Sequence, residues 1–172
     1  MRLQDWERAM FVDFEVVRDE GGKLFPVEIG IAGMSGKWIS KWIAPRSDWA
    51  PGPRASTEEL AKFEQAKSGV AVEEVVEWIE QAFPGRLLIS DAVIVDLPLL
   101  RRIMEGRQHS FNLKEFFVVI EDLRKMAQVD MPTFNRWIVE IDDNRKEVHR
   151  AGEDAWVRAE LARRLLIAAN QK

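Results

Sequence analysis

The chain has 172 residues, 47% of them hydrophobic and 31% charged, which suffices for one well-buried core and is short for two, so a single domain spanning residues 1–172 is expected. Its net charge of −4 argues against a global positive field, and a nucleic-acid ligand would have to be held through local Lys/Arg patches. The absence of cysteine excludes a disulfide framework, a thiolate metal site and a cysteine nucleophile, leaving carboxylates and histidine as the metal ligands available.

Met1 to Arg8 lacks the apolar run of a secretory signal, and no later stretch reaches the roughly 20 apolar residues of a membrane span, so a cytoplasmic protein that does not enter a membrane is expected. Phe11 to Val17 is apolar and β-rich, the composition of a buried strand, yet it carries Asp13 and Glu15. Side chains two apart on a strand point to one face, roughly 7 Å apart at about 3.3 Å per residue. Two like charges on a half-buried surface repel and lose hydration unless a bound cation neutralises them. The alternative places both acids on the solvent face of an edge strand. Phe14 points the other way, toward the core.

Arg18 to Gly22 reads as a turn, Leu24 to Gly33 as a second strand, Met34 to Gly36 as another break, and Lys37 to Ile43 as a third strand with Trp38, Ser40 and Trp42 on one face. The first 43 residues thus predict a three-stranded antiparallel meander. The proline-rich stretch from Ala44 to Ser56, with Arg46 and Arg54, predicts a long irregular loop lying over a functional site. Ser56 or Thr57, followed by Glu58 and Glu59, opens a helix through about Lys67, and Val72, Val75, Val76 and Ile79 recur at helical spacing in the next one.

Arg86 to Ser90 predicts a central strand with Asp91 to Val95 as its exit. Asp96 then starts a helix, with Pro98 in its first turn and Leu99, Leu100 and Ile103 buried. Phe116 to Ile120 reads as a strand, Asp122 to Glu140 as one or two helices around Pro132, and Ala151 to Ala169 as a long helix with Ala155, Ala159, Ala162, Leu165 and Leu166 on one stripe. Three strands followed by helices alternating with two more strands predict an α/β fold, a mixed five-stranded sheet flanked by helices. Seven tryptophans without a tyrosine read first as packing residues and only secondarily as base-stacking ones.

Each further acid has a bland reading. Asp96 suits a helix N-cap, with Asp91 competing as the acid of that region. Asp154, beside Glu153, suits the dipole of the last helix. His149 lies five residues before Asp154, about 140° around a helix, so the two converge only if His149 sits in the turn before that helix.

Taken together, Phe11-x-Asp13-x-Glu15, Asp96 at a helix start, and His149-x-Ala151-x-x-Asp154-Ala155 resemble, in order and approximate separation, the three motifs of the DnaQ-like DEDDh family of 3′–5′ exonucleases. The resemblance covers essentially the whole chain. It implies a ribonuclease H-like fold and hydrolysis of single-stranded RNA or DNA from its 3′ end to nucleoside 5′-monophosphates. It further implies two divalent ions, Mg²⁺ or Mn²⁺, held by Asp13, Glu15, Asp96 and Asp154, with His149 as general base. Phe14, Val16 and Arg150 are implied substrate contacts; Arg46, Arg54 and Arg158 are further phosphate candidates. The chain departs from the family at Val16-Val17, where many members have Thr-Gly, and at Asp91 to Val95, where many have His-Asn-Ala-x-Phe. The stretch from Val16 to Gly22 looks more like short stand-alone exoribonucleases than proofreading domains. Homodimerisation, common among small relatives, is an expectation that no residue pattern here demands. The alternatives are a ribonuclease H-like nucleic-acid-binding module with little or no catalysis, and an endonuclease on the same fold.

Overall fold

A computed structural model describes residues 3–105, 107, 111–145 and 150–171. Strands β1 (Ala9–Arg18), β2 (Leu24–Gly33) and β3 (Trp38–Trp42) form the antiparallel meander. Gly22 and Gly36, each at φ 78°, occupy the left-handed backbone region that the two turns need and that side chains resist. Strand β4 (Leu87–Ser90) then pairs parallel to β1, and β5 (Leu113–Glu115) parallel to β4, giving the order β3-β2-β1-β4-β5. β1 is therefore the central strand, covered on both faces, which is why burial reaches even its acids.

The helices are α1 (Leu3–Trp6), α2 (Thr57–Ala66), α3 (Val72–Ala82), α4 (Val93–Ile103), α5 (Phe116–Ala127), α6 (Met131–Asp143) and α7 (Ala151–Asn170). Strand alternation divides them between two layers. Val12 and Phe14 of β1, with Phe25, Val27, Ile29 and Ile31 of β2, face the buried side chains of α2, α3 and α4. Ala9, Phe11 and Ala32 face α5, α6 and α7 on the other side. A bulge between Glu15 and Val16 shifts the register so that Val17 pairs with Phe25, and both are buried in the first layer. No helix among the described residues is long and apolar enough to cross a membrane.

Local chemistry explains most element ends. Ser56 and Glu59 form a reciprocal capping box at the start of α2, and Asp130 accepts from the Thr133 amide to cap α6, with Pro132 in its first turn.

Three expectations are corrected. Phe116 to Ile120 is helix, not strand: the buried residues are Phe116, Val119, Ile120, Leu123 and Ala127, at helical spacing, while Phe117 and Val118 face solvent. A short apolar run carries no periodicity of its own, and the three residues before it supply β5 instead. Helix α4 begins at Val93 rather than Asp96, because the Ser90 hydroxyl accepts from the Ala92 amide and turns the chain into the helix early. Pro98 consequently lies inside the helix. The proline-rich loop is anchored away from the acids: Trp49 is buried against Phe25 in the first layer, with Arg46 and Arg102 over its ring.

Candidate metal and active site

On β1, Asp13 is paired with Gly30 and Glu15 with Glu28 of β2, so these four residues share the face covered by α7. The helix starts directly on that face. A Cβ on Gly30 would lie 2.1 Å from the Ala151 carbonyl carbon, and one on Gly152 would lie 2.4 Å from the Trp38 ring. Ala155 and Ala159, one and two turns later, are also buried, so small residues bring the axis of α7 close to the sheet. Asp154, in the first turn, is thereby set beside β1: Asp13, Glu15 and Asp154 each offer a carboxylate oxygen within 4.8 Å of the others.

Because β4 runs parallel to β1, its C-terminal end delivers Asp91 and the first turn of α4 to the same place. Asp13, Asp91 and Asp96 form a second group on the same 4.8 Å criterion. Asp13 belongs to both.

The like-charged pair Glu15 and Glu28, directly opposed across two strands, requires counter-charges. Lys62 of α2 approaches Glu15 at 2.7 Å. Glu28, fully buried, takes Arg150 at 3.0 Å and accepts from the Ala151 amide at 3.4 Å. A carboxylate at this helix N-terminus favours the dipole and ties α7 to β2. Arg150 also stacks over Trp42, 5.0 Å from its centroid.

Two further cations reach the acids. Arg158, on the next turn of α7 after Asp154, places Nη1 3.1 Å from Asp13 and Nη2 against Asp91. Arg145 places Nη1 2.7 Å from Asp154. Buried Ser90 donates its hydroxyl to Asp96.

Burial, with the neighbouring charges of Asp96, Asp154 and Asp91 adding to it and Arg158 opposing, holds the Asp13 carboxyl well above the usual carboxylate range. Burial likewise pushes Asp96 up to about 6, with Asp91 and Glu115 adding and the Ser90 hydrogen bond opposing. Glu15 is raised by burial against the pull of Lys62. Charge crowding of this kind is what a polyvalent cation relieves. The donors are all carboxylate oxygens, hard ligands suited to Mg²⁺ or Mn²⁺. Among the described residues, five carboxylates meet three cationic side chains here, and this excess of acid fits divalent ions.

Of the expected site residues, Asp13, Glu15, Asp96 and Asp154 meet around Asp13, while His149 lies outside the described residues. Phe14 has its ring buried in the opposite layer, so only its backbone could meet a ligand beside the acids. Val16, partly buried, packs on that same layer, and Arg150 is engaged by Glu28 and Trp42. Asp91 joins the cluster, where the sequence offers it only as a competitor of Asp96. Lys62, Ser90 and Arg145 carry no signal in the sequence that marks them for the site; Glu28, an acid inside an apolar strand, carries the same signal as Glu15.

No protein-family profile and no curated protein sequence matches the chain. Solved structures do. Cell-death related nuclease 4 superposes with a TM-score of 0.60 at 12% identity over 92% of this chain and 63% of its own. Exonuclease I from Methylocaldum szegediense gives 0.57 at 16% identity over 95% and 40%. The RNase domain of the yeast Pop2 protein gives 0.51 at 12% over 92% and 76%. The chain thus spans less than two thirds of the first and of the exonuclease I. At these identities the likeness establishes the fold, which is ribonuclease H-like.

Proposed function

We propose that the chain is a divalent-metal-dependent 3′–5′ exonuclease that shortens single-stranded RNA or DNA to nucleoside 5′-monophosphates. The carrying observation is the position of Asp13 in two acidic groups at once, Asp13–Glu15–Asp154 and Asp13–Asp91–Asp96, a natural frame for two neighbouring ions with a shared ligand. The nuclease fold neighbours support the same reading. Bound divalent ions would supply Lewis-acid activation of water and charge stabilisation at the departing 3′ oxygen.

The chain's own residues would do the rest. Asp13, Glu15, Asp96 and Asp154 hold and space the ions, with Asp91 as an additional ligand. Glu28 and Gly30 fix the start of α7 and thus Asp154. His149, two residues before α7 in sequence, takes the proton of the attacking water, a task suited to an imidazole with a reference pKa of roughly 6.5. One observation favours the alternative of a binding module with little or no catalysis: Arg158, Lys62 and Arg145 already pair with Asp13, Glu15 and Asp154.

Incubation of 5′-labelled RNA and DNA oligomers with Mg²⁺, Mn²⁺ or EDTA separates the two. Laddering from the 3′ end in metal and none in EDTA is the expected outcome. Intact oligomers that are nevertheless retained on the protein would leave the binding module, and cutting of a circular single strand would make the activity endonucleolytic.

A further inference from the structure

The guanidinium of Arg158 lies within the acidic cluster rather than at its rim. Its side chain is 14% exposed, Nη1 is 3.1 Å from Asp13 and Nη2 is against Asp91, so it bridges two of the three acids of the Asp13–Asp91–Asp96 group. Nη1 is buried and makes no hydrogen bond among the described residues, so its hold on Asp13 is electrostatic rather than directional.

The cations at the other group differ. Lys62 also touches Glu58, at 2.6 Å, and Arg145 also touches Asp142, at 2.9 Å, so each can fall back on a second acid outside the cluster. Of the two acids that Arg158 touches, Asp13 is common to both groups and Asp91 belongs to the Asp13–Asp91–Asp96 group alone, and neither lies outside the cluster. Its backbone is fixed, because Ala155 and Ala159 on either side are buried against the core. A guanidinium does not yield by losing its proton at ordinary pH. It can only swing away.

We infer that Arg158 is a tethered counter-cation of the Asp13–Asp91–Asp96 position, which makes the two ion positions unequal: a divalent ion enters Asp13–Glu15–Asp154 first, and the other position only by displacing the guanidinium. This rests on the metal-dependent reading above. A tethered competitor acts at a high effective concentration, so displacement weakens the second ion without altering its ligands.

Mn²⁺ titration by calorimetry, with free Mn²⁺ counted by electron paramagnetic resonance, tests this on the full chain. The wild type should take one ion tightly and a second at least tenfold more weakly. Arg158→Met keeps the packing of the aliphatic stem and should tighten the second ion at least tenfold. It should also melt lower in EDTA and gain more from saturating Mn²⁺ than the wild type does. Arg158→Lys, which loses the two-acid fork, should tighten the second ion less and serves if the methionine variant does not fold. Two equal ions in the wild type, or variant isotherms superimposable on it, would overturn the inference while leaving metal binding intact. A wild type that binds no Mn²⁺ would remove the metal-dependent reading as well.

Discussion

Replacing Gly30 with alanine is expected to separate the acids of the cluster without touching one of them. The new Cβ would lie 2.1 Å from the Ala151 carbonyl carbon and 2.2 Å from both its oxygen and the Gly152 nitrogen. All three are backbone atoms, so no side chain can rotate to make room. Ordinary contact begins at 3.4 Å, so α7 and β2 must part by about 1.3 Å (3.4 minus 2.1). Asp154 rides on the first turn of α7, whereas Asp13, opposite Gly30, stays with the sheet. Displacing a reacting group by about 1 Å lowers rates by about 10²-fold. Forcing a methyl into a packed core costs about 1–3 kcal/mol, or about 2–12 °C of melting temperature for a chain of this size. Three measurements decide it: a thermal melt, Mn²⁺ affinity by calorimetry, and release of the 3′ nucleotide. The expected variant folds, melts lower, binds Mn²⁺ more weakly and loses about 10²-fold in rate. Gly152→Ala is the graded comparison, because its Cβ meets the partly exposed Trp38 ring, which can move, and its losses should be smaller. Wild-type affinity and rate in Gly30→Ala would refute the claim that this close approach places Asp154.

Asp13→Asn should abolish hydrolysis in Mg²⁺ while keeping the fold, since it removes the carboxylate common to both groups and the burial cost of its charge; a circular-dichroism melt alongside the gel assay checks both. His149→Ala should lower turnover by roughly 10²- to 10⁴-fold with Mn²⁺ affinity retained, and an unchanged pH–rate profile would remove the histidine from the reaction. Glu28→Gln should cost toward the lower end of the about 3–5 kcal/mol typical of breaking a buried pair, because Arg150 keeps some access to solvent, and a denaturant melt measures it. The pH dependence has a definite sign. Asp96 binds its proton up to about pH 6 when folded against 3.8 for an ordinary aspartate, so the native state holds the extra proton and stability falls as pH rises through that window, by about 3 kcal/mol. Asp13 and Glu15, also raised, act in the same direction. The metal-free protein should therefore melt progressively lower from pH 4 to 7 and recover on addition of Mn²⁺. A melting temperature that is level or rising across that range would count against buried, crowded acids.

The meander was legible because its strands are apolar or alternating runs separated by glycine-bearing turns, whereas the count of five strands agrees only because β5 lies directly before the segment read as the fifth strand. The long stripe of α7 was legible because its alanines recur each turn. Phe116 to Ile120 failed as a strand because five consecutive apolar or aromatic residues fit either period, and only burial of Phe116, Val119 and Ile120 against α7, with Phe117 and Val118 in solvent, decides it. The start of α4 failed because Asp96 is a good cap on paper, while the hydroxyl of Ser90, a residue with no sequence mark of its own, turns the chain earlier.

The acids themselves were readable because a carboxylate in an apolar strand breaks a pattern. Their cationic partners break none. Lys62 and Arg145 sit in polar stretches where a lysine or arginine is unremarkable, and only the tertiary placement of α2 and of the residue two past the end of α6 brings them to Glu15 and Asp154. Arg158 is the sharpest case. Its spacing of four from Asp154 predicts an ordinary pair along one helix face, worth about 0.2–0.5 kcal/mol. The helix lies so close to the sheet at Gly30 that the guanidinium reaches past its own helix to Asp13 and Asp91. There it meets two acids at once in a buried setting, and the tertiary contact outweighs the local one. The same small residues that set Asp154 beside β1 thus also carry an arginine into the position proposed for a second ion.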